Sequence, residues 1–318
     1  MTLILTKASS DYVLQMSDRR ITAGADIVDP QANKGLIYAC EDAIVAVAYT
    51  GMAVLDDAPT DQWLAERVTG VRFDRTRKVP AFPGPPSSTR ETIGQTLTRI
   101  ADALKEAATH VDVRWRESWK AMDFDVVAAG WQWNRRGRHR PIVAWISKSA
   151  NTTDIQKGYR NRLWHYPRSG QKPFVVMAAP SVNYTKHDRE RLISRLQDRS
   201  LQECESVLIE ETREVSTAIP QVGRDLLSIT LMPPPIAQGF VFDRLEGTRR
   251  RSIMMSSFVP DLATEVAITP WLIGPDLLLP PAELSQTTEI QLGPYKIHLA
   301  APDANGVFLM GGLRRPKL

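Results

Sequence analysis

Residues 2–6 alternate as a strand does, Ser9, Ser10 and Asp11 read as a turn, and residues 12–16 resume as a second strand, so the chain opens on a hairpin. A polar loop containing Gly24 follows. Residues 43–48 then form an apolar run of the buried type, which ends at Tyr49, Thr50 and Gly51. Asp56, Asp57 and Thr60 are a helix-start signal before residues 61–68, where Trp63, Leu64 and Val68 share one face. Residues 72–88 are basic and then rich in proline, an irregular loop. Thr89 and Thr92 open a long amphipathic helix through Ile93, Leu97, Ile100, Ala101 and Leu104.

Strand patterns return at residues 125–131 and 141–146, joined by a basic loop, and again at 172–179, ending at Pro180 and Ser181. Two helical stretches, 186–197 and 201–218, precede a last strand at 226–232 that Pro233, Pro234 and Pro235 terminate. Strands, two helices, strands, two helices, strand is the order of an α+β fold with two antiparallel sheets face to face and helices outside. Segregated helix pairs argue against repeated βαβ units. Residues 236–318 carry only short apolar runs broken by Pro and Gly, which reads as a β-rich C-terminal extension of a main domain over 2–233.

At 318 residues the chain is long enough for one large domain or for a domain with such an appendage. The formal charge of +4 is a mild basic excess that bears on solubility and partners, not on fold. Cys40 and Cys204 lie far apart with neither a CxxC nor a Cys/His spacing, so no zinc site and no disulfide framework is expected, and the reducing cytoplasm is the expected compartment. No apolar run approaches the roughly 20 residues that span a bilayer, and the start lacks the basic and apolar regions of a signal peptide.

The chemistry concentrates at the start. If Met1 is removed, Thr2 carries a free α-amine and a hydroxyl on one carbon skeleton, base and nucleophile together. An α-amine with a pKa of about 7.7–8.0 is partly neutral near pH 7 and can take the hydroxyl proton. Taken alone, a threonine after a methionine is merely a second residue.

Thr2, the run Asp18, Arg19, Arg20, the lysine at 34 and an apolar strand running into Gly51 together resemble the opening of proteasome β-type subunits and the related bacterial heat-shock peptidase, which are N-terminal nucleophile (Ntn) hydrolases. The resemblance is clearest over residues 2–51 and is followable, more weakly, to about residue 233. It implies a four-layer αββα Ntn-hydrolase sandwich and a threonine-type hydrolase cleaving peptide bonds in a peptide or protein substrate. Thr2 would attack, Lys34 would depress the amine pKa and stabilise developing negative charge, and Asp18 would hold Lys34 charged and oriented. The backbone N–H of Gly51 would serve the oxyanion, and Ser181 would stand in for a serine that supports the nucleophile. The resemblance further implies a homo-oligomer, a ring or related assembly, with an unfoldase as a partner, and calls for no cofactor and no metal.

Two departures stand out. The Gly-Ser-Gly of active relatives is reduced here to Ser181, and their Asp and Ser-Gly before the last strand are replaced by Ile219, Pro220, Gln221, Val222 and Gly223, with Asp225 or Ser216 as the available substitutes. These losses favour, as an alternative, a catalytically inactive assembly subunit; a second alternative is an amidase acting on a small-molecule amide, since the resemblance implies a fold and nucleophile that also serve non-peptide amides. A basic nucleic-acid-binding protein is a further alternative, resting on the arginines at 135–140 and 249–251. Neither cluster is interleaved with stacking aromatics, so loop tips are the plainer reading and nucleic acid is not expected as a partner. The tryptophans suit core and interface, and His110, His139, His165, His187 and His298 show no metal spacing.

Overall fold

The structure, a computed structural model, describes residues 2–23, 26–29, 32–70, 91–110, 124–134, 138–148, 159–165, 174–178, 186–233, 254–259, 267–268, 270–274, 277–279, 281, 283–284, 288–292 and 295–299. The first stretch is the hairpin of β1 (Ile4–Ala8) and β2 (Val13–Asp18), antiparallel with Ile4 opposite Ser17. Where a polar loop is expected there is a second, short hairpin, β3 (Ile21–Ala23) with β4 (Asp26–Asp29). Its strands are too short and too exposed to leave an alternating pattern, and Ile27 and Val28 are 54% and 64% exposed. Next come β5 (Gly35–Ala39) and β6 (Ala43–Thr50), then the small pair β7 (Val54–Leu55) and β8 (Ala58–Pro59).

Helix α1 (Thr60–Thr69) buries Trp63, Leu64 and Val68, and stops at Gly70, whose left-handed φ of 71° lets its N–H reach the Glu66 carbonyl. Helix α2 (Ile93–His110) lays Ile93, Leu97, Ile100, Leu104 and Ala107 on one face. The expected irregular loop at 72–88 lies outside the described residues. Strands β9 (Asp125–Trp133), β10 (His139–Lys148), β11 (Tyr159–His165) and β12 (Phe174–Ala178) follow. Helix α3 (Lys186–Leu196) and helix α4 (Leu201–Ala218) come next, the latter opened by a capping box between Ser200 and Glu203. Arg191 and Arg195 tie the two helices together by gripping the buried carboxylate of Glu211 at 2.9 Å each. Strand β13 (Leu226–Leu231) leads to β14 (Met254–Val259), β15 (Ala267–Ile268), β16 (Trp271–Gly274), β17 (Leu277–Leu279), β18 (Glu283–Leu284), β19 (Thr288–Leu292) and β20 (Tyr295–Leu299).

The chain is α+β. One sheet has five strands in the order β12-β1-β2-β13-β14, and another has seven, β11-β10-β9-β6-β5-β16-β17. Strands from the last third enter both: β14 pairs antiparallel with β13, and β16 runs parallel to β5 with Trp271 opposite Leu36. Strand parity explains the core. On β6, Ala43, Val45, Val47 and Tyr49 pack with α1 and α2, whereas Ile44, Ala46 and Ala48 face Ile4, Ala8, Val13, Leu227 and Ile229 of the other sheet. Leu3, just before β1, and Leu5 on it pack instead with Leu192, Leu196, Val207 and Leu208 of α3 and α4. Polar ties cross between the sheets, among them Trp131 Nε1 donating to the Leu231 carbonyl at 2.9 Å and Gln15 Nε2 to the Val127 carbonyl at 3.2 Å. Gly130 is required where β9 meets β6, because any Cβ there would land on the Ile44 carbonyl. Among the described residues no helix is long and apolar enough to cross a membrane.

Candidate active site

Four strand ends converge at one end of the two sheets. Thr2 lies two residues before β1, Asp18 closes β2, Lys34 immediately precedes β5, and Thr50 closes β6 with Gly51 directly after it. Two strands pairing side by side hold the ends of β1 and β2 in register, with the Asp18 N–H on the Leu3 carbonyl at 3.3 Å. Thr2, Asp18 and Lys34, widely spaced in sequence, are thereby brought together, and each is at most 2% exposed.

Lys34 is the centre of the cluster. Its ammonium donates to Thr2 Oγ1 at 2.6 Å, to Asp18 Oδ2 at 3.3 Å and to the Arg20 carbonyl, so its three hydrogens have three acceptors. Asp18 is as fully engaged: Oδ1 accepts the Leu3 N–H at 2.7 Å, and Oδ2 also accepts the N–H groups of Arg20 at 3.1 Å and Gly223 at 3.0 Å. Gly223 has to be a glycine for this approach, since a Cβ would sit 2.8 Å from Arg20 Cβ and 3.0 Å from the Arg20 nitrogen. The nitrogen of Thr2, a peptide nitrogen here because Met1 precedes it and the position of an α-amine once Met1 is gone, donates to Thr50 Oγ1 at 3.1 Å. The Thr50 hydroxyl in turn donates to the Thr2 carbonyl at 3.1 Å.

Burial dominates the electrostatics. It lowers the Lys34 pKa below its ordinary value, and the neighbouring carboxylate of Asp18, with Asp29 further off, pulls it partway back. Arg19 beside it is pushed down to about 10 by burial, against the pull of Asp225 and Asp29, and stays protonated at neutral pH. An ammonium 2.6 Å from a hydroxyl oxygen favours the alkoxide over the alcohol, which is the polarisation that a threonine nucleophile needs.

A second layer holds Lys34 from the other side. Asn33, its neighbour, donates to Asp61 Oδ2 at 3.0 Å, and Trp271 Nε1 donates to that oxygen at 2.9 Å, while the Tyr49 hydroxyl donates to the Asn33 carbonyl at 3.3 Å. Burial raises the Asp61 pKa, opposed by the Trp271 and Asn33 hydrogen bonds. The loop carrying the lysine is therefore braced by α1 and by β16. Among the described residues no group of three or more His, Cys, Asp or Glu side chains converges as a metal site does.

Gly51 sits beside Thr50 at the end of β6 with φ of 111°, a backbone conformation that suits glycine. Ser181 lies outside the described residues. Ser216 is spent on its own helix, its hydroxyl donating to the Arg213 carbonyl at 2.7 Å, and Asp225 meets Arg19 through its backbone carbonyl, which accepts the Arg19 N–H at 3.0 Å. Sequence reasoning passed over Thr50 and the bracing set of Asn33, Asp61 and Trp271. Thr50 carried a signal in its parity: it follows Ile44, Ala46 and Ala48 on the face turned to the other sheet.

No family model matches the chain, and no curated protein matches it. Among solved structures, a mutant of Anbu from Hyphomicrobium sp. strain MC1 is similar at a TM-score of 0.46 and 12% identity, over 73% of this chain and 82% of that chain. Anbu from Yersinia bercovieri, described as an ancestral beta-subunit, gives 0.42 and 13% over 73% and 81%. Anbu from Hyphomicrobium sp. strain MC1 gives 0.46 and 13% over 72% and 82%. These findings correct the resemblance drawn from residues 2–51: the three similar structures named above are Anbu proteins, at 12–13% identity, and assignment of the chain to the proteasome β-type or heat-shock peptidase family is withdrawn. A few residues at matching separations specify a local geometry, and several chains of different descent can share it.

Proposed function

We propose that this protein hydrolyses amide bonds through Thr2, freed by removal of Met1. The observation that carries the reading is the Lys34 ammonium lying 2.6 Å from Thr2 Oγ1 with Asp18 behind it. In the proposed reaction the α-amine takes the proton of the Thr2 hydroxyl as Oγ1 bonds to the amide carbon. The tetrahedral oxyanion is met by the Gly51 N–H and the field of Lys34. The amine then hands its proton to the departing nitrogen, the C–N bond breaks, and an ester on Thr2 remains for water to hydrolyse. Ser181 is proposed as a supporting hydroxyl.

The substrate we propose is a peptide or protein, and the arrangement of sheets and helices a four-layer αββα sandwich, which the three separate apolar clusters favour. Self-assembly of the chain belongs to the same proposal and is favoured by Ile27 and Val28 standing exposed on the β3–β4 hairpin. The test is the intact mass of the native protein with labelling by a threonine-directed electrophile. The expected result is a mature chain beginning at Thr2, modified on that residue, with Thr2→Ala neither labelled nor active. Native protein that keeps Met1 overturns the proposal.

One observation favours a second reading, an assembly subunit without chemistry: Thr2 is only 2% exposed in the chain that still carries Met1. Absence of labelling on a chain shown to begin at Thr2 would select it.

A further inference from the structure

Hydrogens are fully allotted around Thr2, and the allotment singles out one residue. The three hydrogens of Lys34 go to Thr2 Oγ1, Asp18 Oδ2 and the Arg20 carbonyl, which leaves none facing the Thr2 nitrogen. The Asp18 carboxylate is occupied by Lys34 and three backbone N–H groups. The group that does meet the nitrogen is the Thr50 hydroxyl, 2% exposed and 3.1 Å away. A hydroxyl has a single proton, and that of Thr50 is directed to the Thr2 carbonyl at 3.1 Å. Its oxygen is thus left as an acceptor toward the nitrogen, and the direction of the bond is fixed.

We propose that Thr50 is the positioning residue for the Thr2 α-amine, an assignment that rests on the proposed hydrolase reading. Once Met1 is removed, one amine N–H stays on Thr50 Oγ1. With one of its three positions fixed on Thr50, the amine cannot rotate freely about the Thr2 N–Cα bond, and its lone pair is confined to the two positions left, which raises the fraction of time it can accept the proton of its own hydroxyl. Thr50 grips residue 2 at both nitrogen and carbonyl, so it also fixes the backbone from which Oγ1 projects. This provides, from β6, a support of the kind expected of Ser181. The position is set by the fold: β6 parity turns Thr50 toward the other sheet, and pairing of Thr50 with Asp125 on β9 holds the strand end in place.

The test compares wild type, Thr50→Val, Thr50→Ala and Thr50→Ser after intact mass has established that each begins at Thr2. Two quantities are read: the titration of the Thr2 amine, followed by the chemical shift of its nitrogen in isotope-labelled protein, and the pH dependence of amide hydrolysis. A hydroxyl that accepts from the amine favours its protonated form. Thr50→Val therefore moves the amine titration to lower pH by roughly half to one unit. Loss of orientation lowers the turnover plateau by about 10- to 100-fold. Thr50→Ser restores the wild-type titration and most of the rate, and Thr50→Ala stands in should the valine variant fail to fold. A folded Thr50→Val or Thr50→Ala whose amine titrates as in wild type overturns the assignment. If the amine titration moves as expected while wild type hydrolyses no amide, the positioning role stands and the hydrolase reading falls. A chain that keeps Met1 overturns both.

Discussion

Replacing Asp18 by asparagine tests how the buried pair is held. The carboxylate is completely buried and accepts four hydrogen bonds, from the N–H groups of Leu3, Arg20 and Gly223 and from Lys34. An asparagine keeps one acceptor oxygen. If that oxygen stays toward Leu3, its NH₂ confronts the Arg20 and Gly223 donors, and if it turns, the Leu3 donor is abandoned. The change also strips the buried Lys34 of its counter-charge. Removing one member of such a pair costs about 3–5 kcal/mol, a drop in urea midpoint of more than about 1 M at the usual denaturant slopes. Lys34→Met is expected to cost clearly less, because Asp18 retains its three backbone donors while the lysine in Asp18→Asn keeps only neutral acceptors. In the double variant the loss is smaller than the sum, by an interaction of about 1–3 kcal/mol. Equilibrium urea unfolding followed by circular dichroism measures all four proteins. A Lys34→Met variant as damaged as Asp18→Asn, or strict additivity, would refute the reasoning.

Further expectations concern the frame around the pair. Gly223→Ala forces a Cβ to within 2.8 Å of Arg20 Cβ, which is anchored to backbone and cannot swing away; a loss of about 1–3 kcal/mol is expected in thermal unfolding, together with reduced activity. Because burial lowers the Lys34 pKa, the unfolded chain binds a proton that the folded chain lacks in the window between the folded value and the ordinary 10.5. Stability contributed by this site therefore rises with pH across that window, and urea titrations at several alkaline pH values should show the slope in wild type and its absence in Lys34→Met. Trp271→Phe removes one of the two side-chain donors to Asp61 Oδ2 and is expected to lower stability by about 1 kcal/mol and slow turnover, read by calorimetry and initial rates.

Much of the frame was legible in local pattern. The run at 43–48 and the face formed by Ile93, Leu97, Ile100 and Leu104 state their conformations without outside help, since six consecutive apolar residues suit a strand buried on both sides and a spacing of three and four suits a helix. Thr2, Asp18 and Lys34 could be singled out together only through the resemblance, because their residue types and mutual separations match its pattern; each alone is an ordinary residue. What was not legible depends on distant partners. The β3–β4 hairpin is solvated and short, so the hydrophobic pattern is silent there. β5 hides behind Asn33 and Lys34, whose polarity comes from the site and not from a loop. The parallel neighbour of β5 is Trp271–Gly274, and no local signal couples residue 36 to residue 271. The hydroxyl of Thr50 was overshadowed by the glycine after it, although its parity pointed to Thr2.

That last pairing has a consequence during synthesis. Until residues 271–274 have been made, one side of β5 has no neighbour in its sheet, and Leu36 to Ala39 offer an apolar, hydrogen-bond-hungry border to any strand nearby. At translation speeds of about 5–20 residues per second this exposure lasts on the order of 10 to 50 s on a ribosome. The nascent chain thus passes through a long interval in which it invites edge-to-edge sticking, and a holding chaperone present during synthesis should raise its soluble yield.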